Sequence, residues 1–279
     1  MNPGQTEIVR VMGQTHGHDI SLHDEAFLAK SIQSRLAATG IETASAYCEY
    51  LLGNSMEAET LFHALNITFS EFWRTPLTFD FLEQQVLPGL IQEKAKAGRA
   101  EIRVWSAACA AGQEAYSIAI LLSDLVAACG GALSYRIFAT DRSSAEIANA
   151  QAGVYGYSAV HNLRLKHIRS FFTQEDETYR IVPALRTRID FSVYDLLDKH
   201  TASPPPSIYG DFDLVICCNL LFYYKQDIRR RILKKVWGSL SEGGYLVTGE
   251  AEKGIVRSSL GIRAIHPACA IFRKTDRGR

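Results

Sequence analysis

The chain has 279 residues, 47% of them hydrophobic and 22% charged, with 30 basic and 30 acidic side chains and no net charge. That length accommodates one large α/β domain and a smaller one, and the neutral balance argues against whole-molecule nucleic-acid binding. No apolar run approaches the roughly 20 residues that a membrane span requires, and the first residues show no signal-peptide core, so a cytoplasmic protein is expected.

Taken in order, the first hundred residues read as helical. His16, His18 and His23 cluster near the start without a Cys or further His to complete a ligand set, so no metal is expected and the segment reads as solvated. Apolar residues at Leu22, Phe27, Leu28, Ile32 and Leu36 predict a helix over 20–36, stopped by Gly40. Shorter helices are predicted over 43–52 and 56–65, the second capped by Ser55. Thr75-Pro76 starts another, with proline at its first position. It runs over 77–87, restarts at Pro88 to about 97, and passes into a polar linker over 94–99.

Residues 101–117, EIRVWSAACAAGQEAYS, then change the pattern. Ile102, Val104 and Trp105 make a buried strand. A turn with nothing larger than Cys follows, then apolar residues at helical spacing. Strand, small-residue turn and helix form the unit that cradles nucleotides in open α/β sheets, because backbone N–H groups at the helix start are free to meet a polar ligand. A second strand, YRIFATD, ends in Asp141, 29 residues after Gly112. An acid there can accept both hydroxyls of a ribose.

Beyond it the pattern predicts a helix over 143–150, a loop over 153–157 and a helix over 163–172. Two short strands follow at 179–182 and 186–193, the second leading into Tyr194-Asp195-Leu196. ASPPPS (202–207) reads as a stiff surface loop. A strongly apolar strand over 212–217 ends at Cys218-Asn219. A basic amphipathic helix (228–240), a strand (245–249) and a terminal hairpin (262–266, 269–273) close the chain. Six scattered cysteines, only Cys217 and Cys218 adjacent, give no disulfide framework. One further feature stands out: Arg74 lies beside aromatics in EFWR. Such an arginine either spreads over apolar surface or holds a carboxylate in its planar fork.

The pieces EFWRTPLTF, VWSAACAAGQEAYSIA, FATDRSSAEIANAQAGVY, FDLVICCNLLFYY and LSEGGYLVTGEAE resemble, in order, five motifs of the chemotaxis receptor glutamate methyltransferases, the CheR family, from about residue 24 to 274. The resemblance implies the seven-stranded, Rossmann-like α/β fold of S-adenosylmethionine-dependent methyltransferases. It adds a helical N-terminal domain over 1–75, a methyltransferase domain over 76–279 and a small antiparallel insertion at about 160–190. It implies S-adenosylmethionine as cofactor, S-adenosylhomocysteine as product, and methylation of glutamate carboxylates on the helical cytoplasmic region of chemoreceptors or a related signalling protein. By the same resemblance, Thr68, Ser70 and Arg74 lie at the methyl-transfer end of the cofactor, and Ala107 and Ala108 offer backbone contacts. Glu114 holds the methionine amino end, Asp141 the ribose, and Asp195 and Leu196 border the adenine. Cys218 and Asn219 lie under the methionine moiety, and Tyr223 approaches the methyl group. Lys30 and Arg35 correspond to the family's basic receptor-docking positions.

Four departures accompany the match. The family's C-R-N is Cys217-Cys218-Asn219, its G-E-E-P-Y-S is Gly112-Gln113-Glu114-Ala115-Tyr116-Ser117, its adenine-side asparagine is Asp195, and only two of three docking positions, Lys30 and Arg35, stay basic. The loop over 172–179 is short, so docking on a receptor's tail peptide is not expected. A methyltransferase with another acceptor, and a non-catalytic cofactor-binding signalling domain, stay open as alternatives.

Overall fold

The computed structural model describes residues 1–98, 101–130, 133–207 and 209–275; Arg99, the end of the expected linker, lies outside them. The chain divides into two units. One comprises Met1–Thr68 with Leu221–Arg229, the other Phe69–Leu220 with the chain from Arg230 onward.

The first unit is built from α1 (Pro3–His16), α2 (Glu25–Thr39), α3 (Ala44–Gly53) and α4 (Ser55–Leu65). The N-terminal segment, expected to be solvated, is the helix α1. Asn2 and Gln5 form a reciprocal capping box, Pro3 occupies the first turn, and Ile8, Val11 and Met12 bury one face. The helix expected over 20–36 begins later, where the Asp24 carboxylate accepts the amides of Ala26 and Phe27. Asn54, not Ser55, caps α4, accepting the Glu57 amide at 3.0 Å. Ile8, Met12, Ile20, Leu28, Tyr47, Leu51 and Leu61 form the core. The clustered histidines serve this packing: His16 bonds the Leu51 carbonyl, His18 stacks on Phe62, and His23 stacks on Tyr224. Segment Leu221–Arg229 is stitched in by Asp24 N to Tyr223 O (2.9 Å), Lys225 N to Leu22 O (3.0 Å) and Arg229 Nη2 to Asp24 Oδ2 (3.1 Å).

The second unit opens with α5 (Pro76–Phe81). A π-helical turn, Leu82–Val86, then carries the chain into α6 (Leu87–Lys96). The wider turn lets Pro88 stand near the start of α6, where its missing N–H costs little. Then come β1 (Glu101–Ala107), α7 (Gln113–Ala128), β2 (Ser134–Asp141) and α8 (Ser144–Ala152), followed by β3 (Val154–Gly156), α9 (Tyr157–Val160), α10 (Leu165–Phe171), β4 (Phe172–Glu175), β5 (Thr178–Ile181), α11 (Pro183–Arg186) and β6 (Ile189–Val193). The chain closes with β7 (Phe212–Cys217), α12 (Gln226–Gly238), β8 (Leu240–Thr248), α13 (Lys253–Leu260) and β9 (Ile271–Arg273).

Among the described residues the main sheet has six strands in the order β6-β2-β1-β7-β8-β9, parallel except for β9. The expected seventh strand, 262–266, is not one: it follows α13, and Ile265 N bonds Ile271 O. Every residue of β7 is buried, as a central parallel strand covered on both faces requires. The expected loop over 153–157 instead supplies β3, an edge of a separate antiparallel sheet, β3-β5-β4. Among the described residues no helix is long and apolar enough to cross a membrane.

Candidate cofactor site

In open α/β sheets ligands bind beyond the carboxyl ends of the strands, where the chain direction of the connections reverses. Here that row is Ala107 of β1, Thr140 and Asp141 of β2, Cys217 of β7 and Thr248 of β8, aligned by the registers Ala107↔Thr140 and Cys217↔Thr248.

The β1–α7 turn is held in an uncommon shape. Ala108 (φ 62) and Ala110 (φ 45) occupy left-handed backbone, as does Gly112 (φ 88). A Cβ at Gly112 would meet Ala150 Cβ at 2.9 Å, so glycine lets α7 and α8 approach closely. The turn is fastened from both sides: Ala110 N donates to Asp141 Oδ2 (2.9 Å), and the Tyr155 hydroxyl donates to Ala111 O (2.7 Å). Asp141 also accepts the Ser143 amide at Oδ1. Its half-buried carboxylate is thereby fixed at the end of β2 with lone pairs to spare.

Glu114, in the first turn of α7, accepts the Ser106 hydroxyl at 2.7 Å and a hydrogen bond from the Cys218 thiol. Burial pushes its pKa up to about 7, and the Ser106 and Cys218 bonds and the charge of Arg74 offset only part of that. Burial likewise pushes the Cys218 thiol well above its usual range, with Glu114 and Glu252 adding to the effect. Asn219 follows in left-handed backbone (φ 58).

Arg74 is set by its neighbours. Phe72 is buried, edge-on to Tyr155 and Phe172, and Trp73 N donates to the Ser117 hydroxyl of α7. Trp73 has φ 51 and stacks on His167. The Arg74 guanidinium then lies over the Phe69 ring (5.0 Å) and donates through Nη1 to Phe69 O (2.9 Å). The guanidinium thus covers an aromatic face, and its charge lowers the Glu114 pKa.

The second unit therefore gathers Arg74, Ala107, Ala108, Glu114, Asp141, Cys218 and Asn219. Ser70 lies on the Arg74 segment. Asp195 is exposed and caps the Leu197 amide (2.8 Å), next to buried Leu196. Thr68 and Tyr223 belong to the first unit, where the Tyr223 ring packs on Phe27 (4.7 Å). Lys30 is exposed on α2. Arg35 is engaged: Nε and Nη2 clasp Glu57 at 2.9 and 2.7 Å, and Tyr47 donates to the same carboxylate at 2.6 Å. Sequence reasoning missed Glu57, which lies 22 residues away and carries no pattern of its own. It also missed Glu252, whose only signal is its place in LSEGGYLVTGEAE.

The arrangement fits an adenosyl amino acid. Gln113 Oε1 and Thr248 Oγ1 are buried without a hydrogen-bond partner at the carboxyl ends of the strands. Asp141 offers acceptors suited to a ribose, and Glu114 is a carboxyl short of a cation, as an α-ammonium would supply. Among the described residues no group of three or more metal-ligating side chains could hold an ion.

Comparison with known proteins bears on the chain as a whole. Residues 68–258 match the model for "CheR methyltransferase, SAM binding domain", and residues 6–65 that for "CheR methyltransferase, all-alpha domain". The chain is 30% identical over 257 residues to a chemotaxis protein methyltransferase of Listeria innocua, covering 92% of each protein. It is 33% identical to chemotaxis protein methyltransferase 1 of Pseudomonas aeruginosa, covering 70% of this chain and 69% of that one. It is 28% identical to the chemotaxis protein methyltransferase of Salmonella typhimurium, covering 88% and 82%. Fold, site and matches together define an S-adenosylmethionine-dependent methyltransferase. The chain belongs to the CheR methyltransferase family.

Proposed function

We propose that the chain methylates glutamate side-chain carboxylates on the cytoplasmic helical region of chemoreceptors or a related signalling protein, as a cytoplasmic adaptation enzyme. The relatives named as chemotaxis methyltransferases support the process. The observation that carries the acceptor chemistry is Arg74. Among the described residues its fork spends only Nη1, on Phe69 O, so Nε and Nη2 are available to a carboxylate.

When bound, S-adenosylmethionine supplies an electrophilic methyl group and leaves as S-adenosylhomocysteine. Glu114, with Gln113 beside it, would hold the amino-acid end, and Asp141 the ribose. Ala107, Ala108, Asp195, Leu196 and Asn219 would complete the cradle, and by the family resemblance Thr68 and Ser70 would serve the methyl end. A glutamate acceptor, with a reference pKa of about 4.3, is already ionised near neutral pH, so no general base is needed. Arg74 aligns the acceptor, which is where proximity gives rate. The raised Cys218 pKa keeps that thiol protonated and a poor competing nucleophile. By the family resemblance Tyr223 would line the path of the methyl group.

The test is transfer of labelled methyl to a chemoreceptor cytoplasmic fragment, followed by mild alkali. Base-labile label supports the proposal, because glutamyl methyl esters hydrolyse there. Absence of label, with cofactor binding intact, points to the second reading, a different acceptor. One observation favours that second reading: Arg35 is committed to Glu57, leaving Lys30 as the unspent member of the two docking cations.

A further inference from the structure

Glu252 is fully buried, at 0% exposure, and its carboxylate accepts three backbone amides. Oε1 takes Leu220 N at 2.7 Å; Oε2 takes Asn219 N at 2.9 Å and Gly249 N at 2.8 Å. The donors come from two separate segments, the turns that leave β7 and β8 at their carboxyl ends. There is no slack between them. A Cβ at Gly249 would meet Asn219 Nδ2 at 2.9 Å and Glu252 Oε2 at 3.0 Å. Asn219 is held in left-handed backbone, and its neighbour Cys218 hydrogen-bonds Glu114.

We propose that Glu252 is a positioning residue for the cofactor: its carboxylate clamps the Cys218-Asn219-Leu220 turn to Gly249, keeping the Cys218 thiol on Glu114 and Asn219 at the cradle. The inference rests on the reading of Glu114, Cys218 and Asn219 as cofactor contacts. A clamp of charge and geometry acts in two separable ways. Through its amide bonds it fixes the turn. Through its charge it opposes ionisation of Glu114, against the Ser106 hydroxyl from β1, the Cys218 thiol from the β7 turn and Arg74 from the segment before α5. Glutamine at 252 offers an acceptor on one side and an N–H donor on the other, and a donor cannot pair with a backbone N–H. Aspartate keeps the charge and loses the reach.

The experiment measures S-adenosylhomocysteine affinity by calorimetry from about pH 5.5 to about 8.5. Alongside it, the Glu114 carboxyl is titrated by carbon NMR without cofactor, for wild type, Glu252→Gln, Glu252→Asp and Glu114→Gln. Glu252→Gln is expected to weaken binding about tenfold, as loss of a charge-assisted bond does, and to move the Glu114 midpoint to lower pH. Glu252→Asp is expected to weaken binding with the midpoint unmoved. A folded Glu252→Gln protein with wild-type affinity and an unmoved midpoint overturns the proposal. If that variant does not fold, wild-type affinity in Glu252→Asp overturns it. Should Glu114→Gln itself bind with unchanged affinity and pH profile, the underlying reading of Glu114 falls, and this inference with it.

Discussion

Glu57 in the first unit and Glu114 in the second are carboxyl groups whose surroundings pull them in opposite directions. Burial alone would raise both. At Glu57 the Arg35 fork and the Tyr47 hydroxyl outweigh burial and hold the pKa below the usual range. At Glu114 a hydroxyl, a thiol and the charge of Arg74 do not, and the pKa is pushed up to about 7. The first carboxylate has its cation built into the fold. The second has only the more distant charge of Arg74. The contrast sets a structural ion pair apart from the carboxyl group proposed to meet the cofactor.

The largest effect expected from breaking this contrast is on stability. Arg35→Ala strands a buried carboxylate and should cost about 3 kcal/mol, read as a lowered denaturation midpoint for the first unit. The two groups also carry opposite pH signatures. Glu57, with a depressed folded pKa, contributes stability that is present above its unfolded value and lost as pH falls through the folded one. Glu114, with a raised folded pKa, contributes stability that is full below its unfolded value of 4.5 and lost as pH rises towards about 7. Replacing Glu114 by Gln should therefore leave neutral-pH stability unharmed, while Glu57→Gln should not.

Next in size is Arg74→Ala, expected to lower the methyl-transfer rate about a hundredfold while S-adenosylhomocysteine binding is partly retained. Full activity in that variant would remove Arg74 from the proposed mechanism. Glu114→Gln should weaken cofactor binding about tenfold at neutral pH and flatten its pH dependence. In the wild type affinity should rise with pH up to about 7 and fall again as the cofactor's own α-amino group deprotonates at about pH 8. The smallest effect is at the exposed cation: Lys30→Ala should raise KM for a receptor fragment about twofold with kcat unchanged. A larger loss would mean that α2 carries more of the docking than its one unspent charge suggests.

The second unit was the more legible of the two. The β1–α7 turn could be read because only small residues permit its backbone, and Asp141 because an acid closing a strand is conspicuous. The first unit hid its features in longer range. A solvated N-terminus was expected from the cluster of three histidines, whereas the capping box at Asn2 and Gln5 and the apolar face of Ile8, Val11 and Met12 set a helix. Arg35 looked like a docking cation because nothing in the chain announces Glu57 as its partner. Within the second unit the strand expected over 262–266 failed because α13 takes up the chain before it, leaving β9 alone against β8. The role of Glu252 was hidden for another reason: its place in LSEGGYLVTGEAE was legible, but three backbone amides leave no mark on the sequence of the residue that accepts them.

The most direct test is the proton count on cofactor binding. Calorimetry of S-adenosylmethionine binding in two buffers of different ionisation enthalpy, at about pH 6 and again at about pH 8.5, reports whether a group ionises as the ligand arrives. Wild type should release a proton at the lower pH and take one up at the higher, where the free ligand's α-amino group is largely neutral (pKa about 8), and Glu114→Gln should release almost none at the lower. Binding without proton release at the lower pH, or equal release from both proteins, would contradict the assignment of Glu114 as the carboxyl that awaits the cofactor's ammonium group.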